Sequence, residues 1–302
     1  MLDKICRLGS VAVVLLLILG MKPAVAEVTV IDLQRDVDSL LNEVEQIRSV
    51  MGIRPPRARD FALVGVVPRQ IYFQARTLFN KTNTLAQEVA GVSRQSLAPA
   101  PDRDLTLDDS AELLADARAQ LAIVREALEI AEAPAPAKPR RRAKAEDVMH
   151  DIIEAGYILN QMTTETPDWT QIYDRVYQTI TYVGGVLEEG VRYPSLEPFE
   201  CCKQPEAVYA RLVGTMEAAR QVATKHGLEL VKIVPRVRAE GGASPETVYD
   251  LTTTLVSDFG ELTLRMDGDD IAGPSYARPA RILPSHVYQL VSALEQQVKL
   301  LR

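Results

Sequence analysis

A five-residue phrase, Pro-x-x-[Val/Ile]-Tyr, recurs four times in this chain, at 68–72, 205–209, 245–249 and 284–288. Each copy opens a run of apolar residues at helical spacing, and the last three copies begin 40 and 39 residues apart. Proline fits the first position of a helix because the N–H it lacks would be unpaired there and its fixed φ is already helical. The Val or Ile three residues later starts an apolar stripe. After Pro245 it runs Val248, Leu251, Leu255, Leu262, and after Pro284 it runs Val287, Leu290, Leu294, Val298, Leu301. A fixed period of this size marks a helical repeat or a bundle array. The expectation is an all-α fold: antiparallel helical bundles of about eight helices, with a degenerate repeat of about 40 residues.

Other stretches carry the same periodicity without the phrase. Val30, Leu33, Val37, Leu40, Val44, Ile47 and Met51 alternate spacings of three and four, closed by Gly52 and Pro55-Pro56. Thr106-Leu-Asp108-Asp109 places a hydroxyl and two carboxylates at the start of a third helix, where the helix dipole favours them. Val148 to Met162 and Ile172 to Leu187 supply two more helices. No strand-like alternation is sustained, although the connector 226–244 has room for a short helix or strand. The segment 133–145, APAPAKPRRRAKA, is stiff and charged. It is read as a linker between an N-terminal three-helix subdomain, 27–132, and a C-terminal helical bundle, 146–302.

The N-terminus reads as an export signal. Lys4 and Arg7 precede the apolar run Val11–Leu19, and Ala24-Val25-Ala26 is a small-x-small cleavage site. Export to the periplasm or outside the cell is expected, with cleavage after Ala26. Removing residues 1–26 takes Lys4, Arg7, Lys22 and Asp3 with it, so the formal net charge of −7 becomes −9. A surface this acidic argues against nucleic acid as a partner.

Against that charge, a second repeated pattern stands out in the loops: Pro-Arg-x-Arg at Arg57 and Arg59, Arg140 and Arg142, and Arg236 and Arg238, with a looser version at Arg278 and Arg281. Guanidinium forks beside helix N-termini suit anionic groups. The four phrase tyrosines, Tyr72, Tyr209, Tyr249 and Tyr288, place an amphipathic ring at a helix mouth, which serves packing first and a ligand platform second. Cys201 and Cys202 are the only cysteines after the signal; in an oxidising compartment they would close an adjacent-residue disulfide or link two chains.

No GxSxG, GxGxxG, Walker A, HExxH or CxxCH motif is present, and the three histidines lack metal-ligand spacing. The residues therefore imply no enzyme, no cofactor and no metal. They point to an exported interaction or scaffold module that meets an envelope protein or an anionic envelope component, with room for peripheral membrane contact and self-association. The other reading is a bundle that binds a small anion through Tyr and loop Arg contacts.

Overall fold

The computed structural model describes residues 27–55, 61–101, 103–138, 140–164, 167–235, 243–266 and 268–301. These are 63% helix with almost no strand, an all-α fold. Among the described residues eight helices follow one another: α1 (Val30–Val50), α2 (Pro68–Ala90), α3 (Leu107–Ala127), α4 (Ala145–Met162), α5 (Trp169–Val186), α6 (Pro205–Lys225), α7 (Pro245–Arg265) and α8 (Pro284–Leu300). Two four-residue strands, β1 (Phe61–Val64) and β2 (Lys232–Pro235), lie in the α1–α2 and α6–α7 connections. The segment 1–26, expected to be an export signal, lies outside the described residues. No helix among them is long and apolar enough to cross a membrane.

Each helix begins where the sequence places a starter. All four phrase prolines stand at the first helical position, of α2, α6, α7 and α8. At α1, Thr29 Oγ1 accepts from the Asp32 N–H at 3.2 Å while the Thr29 N–H donates to the Asp32 carboxylate at 3.3 Å. Asp168 caps α5 and Ser244 caps α7 in the same manner, at 2.9 and 3.3 Å. At α3 the Thr106 N–H donates to Asp109, whose carboxylate also takes a bidentate Arg103. That guanidinium holds the Asp109 carboxyl well below the usual range.

Helix starts fall 38, 39 and 38 residues apart from α1 to α4, then 36, 40 and 39 apart from α5 to α8, while α4 and α5 start only 24 apart. The buried side chains divide at the same place. One core joins the fully buried stripe of α1 (Leu33, Val37, Leu40, Val44, Ile47) to the buried faces of α2, α3 and α4. The other joins Ile172, Val176 and Ile180 of α5 to α6, α7 and α8. In the first, α1 and α2 each pack against α3 and α4; in the second, α5 and α6 each pack against α7 and α8.

The segment 133–145, expected to separate a three-helix subdomain from the rest, lies inside the first core's territory. It runs along α1, where the Ala137 N–H donates to Ser39 and Gln46 donates to the Glu132 carbonyl. Arg140 then forks onto Asp38 of α1 and reaches Asp151 of α4 at 2.7 Å. So α4 closes the first core, and the changeover falls between Met162 and Trp169. Charge in this segment reads as linker in one dimension, yet here it fastens two helices.

The two cores meet along α2 and α7 and through a two-stranded antiparallel ribbon, Phe61 opposite Pro235 and Val64 opposite Lys232. Val256 of α7 and Val231 bury themselves in the first core rather than the second. The junction is therefore packed as well as hydrogen-bonded.

Candidate functional site

Among the phrase tyrosines, three rings are already covered by the chain's own cations. The Arg175 guanidinium lies 4.1 Å from the Tyr249 ring centroid, Arg76 5.7 Å from that of Tyr72, and Lys203 and Arg211 4.3 and 4.5 Å from that of Tyr288. Tyr209 packs half-buried on the second core. Two of the hydroxyls accept from arginines, Tyr72 from Arg76 and Tyr249 from Arg175, at 3.1 and 2.6 Å.

Of the eight loop arginines, four lie among the described residues. Arg140 is engaged between α1 and α4, and Arg278 forks onto Asp174 of α5 at 2.6 and 3.1 Å, so each serves a different core. Arg142 and Arg281 are exposed. Arg57, Arg59, Arg236 and Arg238 lie outside the described residues. Cys201 and Cys202 are both free thiols at the surface.

The structure instead brings polar groups together where the cores meet. Gln70, Gln74, Thr77 and Lys81 sit at helical spacing on α2 and face α7 in reverse order. Gln70 donates to Asp258 at 2.8 Å, Gln74 to Thr254 at 3.2 Å, Thr77 meets Thr253 at 3.4 Å, and Lys81 reaches Asp250 at 3.1 Å. Arg175 of α5 closes the row, bonding Thr253 and Thr77 at 2.6 and 3.4 Å. The descending register makes α2 and α7 antiparallel. Asp258 at one end is almost wholly buried, and burial pushes its carboxyl up to about 7 against the Gln70 and Val231 hydrogen bonds that favour the anion.

At the other end the row opens into a cleft of about 190 Å³. Its walls come from both cores: the C-terminal half of α2, the end of α4, the start of α5 and Tyr249 of α7. Asn83 fixes one rim by bonding the Gln95 main chain both ways, at 2.7 and 3.1 Å. Glu88 fixes another by accepting from the Thr164 N–H at 2.8 Å. Lys81 lies at the junction, its ammonium also donating to the Gly156 carbonyl of α4 at 3.3 Å. Among the described residues, the charged side chains lining the cleft are Lys81 and Arg94; the rest are chiefly amides and hydroxyls, with Asn80, Asn160 and Gln171 among them. Of these cations, Lys81 is ion-paired with Asp250 of α7 at 3.1 Å, so the cleft joins that pair to an amide-rich surface.

Lys81, Arg94, Asn83 and Asp258 were absent from the residues singled out by sequence. The signal that could have found them is the polar stripe Gln70, Gln74, Thr77, Lys81 running beside the apolar stripe of the same helix, together with the Thr252-Thr253-Thr254 run of α7. Among the described residues no group of three or more His, Cys, Asp or Glu is placed to hold a metal ion. Comparison with known protein families, curated proteins and solved structures gives no match.

Proposed function

We propose that this is an exported, non-enzymatic binding protein made of two antiparallel four-helix bundles in tandem, and that the cleft between them takes a small anionic solute. The tandem reading is supported by the helix starts, which recur after 139, 137, 138 and 139 residues from α1 to α5, α2 to α6, α3 to α7 and α4 to α8. The shared pairing pattern supports it too. On this reading the 40-residue period is the helix-to-helix spacing inside a larger duplicated unit.

The observation that carries the binding reading is the cleft's lining among the described residues: Lys81, Arg94, and amides that both donate and accept. Ligands lodge preferentially where two folded units meet. A volume of about 190 Å³ suits a molecule the size of a small carboxylate or phosphate compound. The scaffold reading, in which the helical surface docks an envelope partner, has less support. The exposed large apolar side chains, such as Ile31, Val64, Phe199 and Leu300, are dealt out over different elements rather than gathered on one face.

Thermal unfolding of the full chain with inorganic phosphate, citrate or glucuronate, each against chloride of equal ionic strength, tests the proposal. At a concentration about 100 times its Kd, a ligand adds about 2.7 kcal/mol of stability. At least one of these anions is expected to raise Tm, and Arg94→Ala to abolish the rise. Absence of any anion-specific shift, or a shift that Arg94→Ala leaves intact, would overturn it. Capture of an envelope protein by the cleft-disrupted variant would favour the scaffold reading.

A further inference from the structure

Adjacent side chains on an extended strand point to opposite faces, and on a helix they diverge by about 100°. Cys201 and Cys202 do neither. The chain turns at Cys202 with φ +67°, a left-handed backbone that costs a side-chain-bearing residue strain, and the two sulfurs meet 2.9 Å apart. Both thiols are exposed, so burial does not force them together.

The turn is held from both sides. Before it, Phe199 stacks on His286 with ring centroids 4.8 Å apart, and the Glu197 carbonyl accepts from Gln289 of α8 at 2.5 Å. After it, the Lys203 N–H donates to Ser285 at 3.0 Å and its ammonium lies over Tyr288. Both flanks are thus pinned to the first turns of α8, and the strained residue has no slack through which to relax.

We infer that Cys201 and Cys202 form a vicinal dithiol site that exchanges with small-molecule disulfides and closes reversibly into an eight-membered ring. The Cys202 S–H donates to the Cys201 sulfur at 2.9 Å, and this geometry assigns Cys201 as the attacking sulfur. The hydrogen bond to Cys201 also pushes the Cys202 thiol above its ordinary value. The Cys201 thiolate attacks one sulfur of the incoming disulfide, forming a mixed disulfide and releasing one thiolate, which takes up a proton. Cys202 then gives its proton to solvent and attacks the Cys201 sulfur, forming the ring bond and expelling the second half of the oxidant as thiol. One dithiol and one disulfide become one cyclic disulfide and two thiols, with no metal or other electron carrier required. A strained, exposed ring sits among the more easily reduced disulfides, so the reaction runs in both directions near ordinary glutathione ratios.

Full-length protein equilibrated with mixtures of reduced and oxidised glutathione, quenched by alkylation and digested with trypsin, tests this. Cleavage after Arg192 and Lys203 releases both cysteines on a single peptide, which keeps Cys6 out of the measurement. Excess oxidised glutathione is expected to yield a peptide lighter by two hydrogens and unreactive to alkylation, and dithiothreitol is expected to restore two alkylatable thiols. Cys202→Ser is expected to stop at the glutathione adduct on Cys201. A wild-type peptide that carries glutathione, is joined to a second chain, or stays doubly alkylated under every mixture overturns the proposal. Faster glutathione uptake by Cys201→Ser than by Cys202→Ser overturns the assigned order of attack.

Discussion

Asp258 shows how a single buried group can govern the junction. Its pKa rises from 3.8 in the unfolded chain to about 7 in the fold, because burial penalises the anion more than its hydrogen bonds reward it. The folded state therefore binds more protons than the unfolded state between those values, and stability must fall as pH rises through that window, levelling above about 7. Asp258→Asn keeps an oxygen for Gln70 and removes the titration. Each pKa unit corresponds to about 1.4 kcal/mol, so the variant should gain on the order of a few kcal/mol at about pH 8 and nothing in acid. Urea melts at several pH values measure this directly; an unchanged pH slope would count against the burial argument. Sequence gave little warning here. An Asp late in an amphipathic helix looks solvent-facing unless a second helix is known to cover it.

At the scale of elements, the phrase prolines and Thr106 mark helix starts that were legible because capping is local chemistry. The stripes were legible for the same reason. What could not be read was the assignment of α4 to the first core, since Arg140 meets Asp38 across 102 residues and no local pattern encodes it. Of the ribbon, only room for a short helix or strand in 226–244 was legible; its pairing with β1 was not, because four-residue strands are too short to show alternation.

Gly185, near the end of α5, is a second long-range constraint written as a single residue. A Cβ built there would stand 2.3 Å from the Asp269 carbonyl oxygen, and the Asp269 N–H donates to the Gly185 carbonyl at 3.0 Å. In an unobstructed helix Gly→Ala would add up to about 1 kcal/mol of stability. Here the sign should reverse, with Gly185→Ala losing about 1–3 kcal/mol as the connection after α7 is pushed away. Thermal denaturation of the variant decides the sign.

For the whole molecule, the row from Gln70 to Lys81 decides whether the two cores melt together. Trp169, the sole tryptophan, packs on the second core, so its fluorescence reports α5–α8 while circular dichroism reports every helix. In the parent protein the two signals should follow one urea transition, coupled by α2–α7 packing and the ribbon. In the double variant Gln74→Ala, Lys81→Ala, which leaves Asp250 without its ammonium partner, the fluorescence and dichroism midpoints should separate. Coincident curves in that variant would mean that apolar contacts and strands alone join the cores. The cleft between the cores depends on the same coupling, and it was the least legible feature of all, since its walls are drawn from residues between 77 and 249.

The ribbon has a further consequence, for the order in which the protein comes into being. Apart from Val231 and Val256, the buried residues of the first core are all present once residue 162 has left the ribosome, but β2 and the α7 partners of Gln70 and Gln74 arrive only with residues 232–258. At about 5–20 residues per second, the nascent chain carries β1 with an open edge and α2 with a wet polar row for roughly 5 to 20 seconds. During that interval the half-made molecule presents a surface that only its own later half can cover.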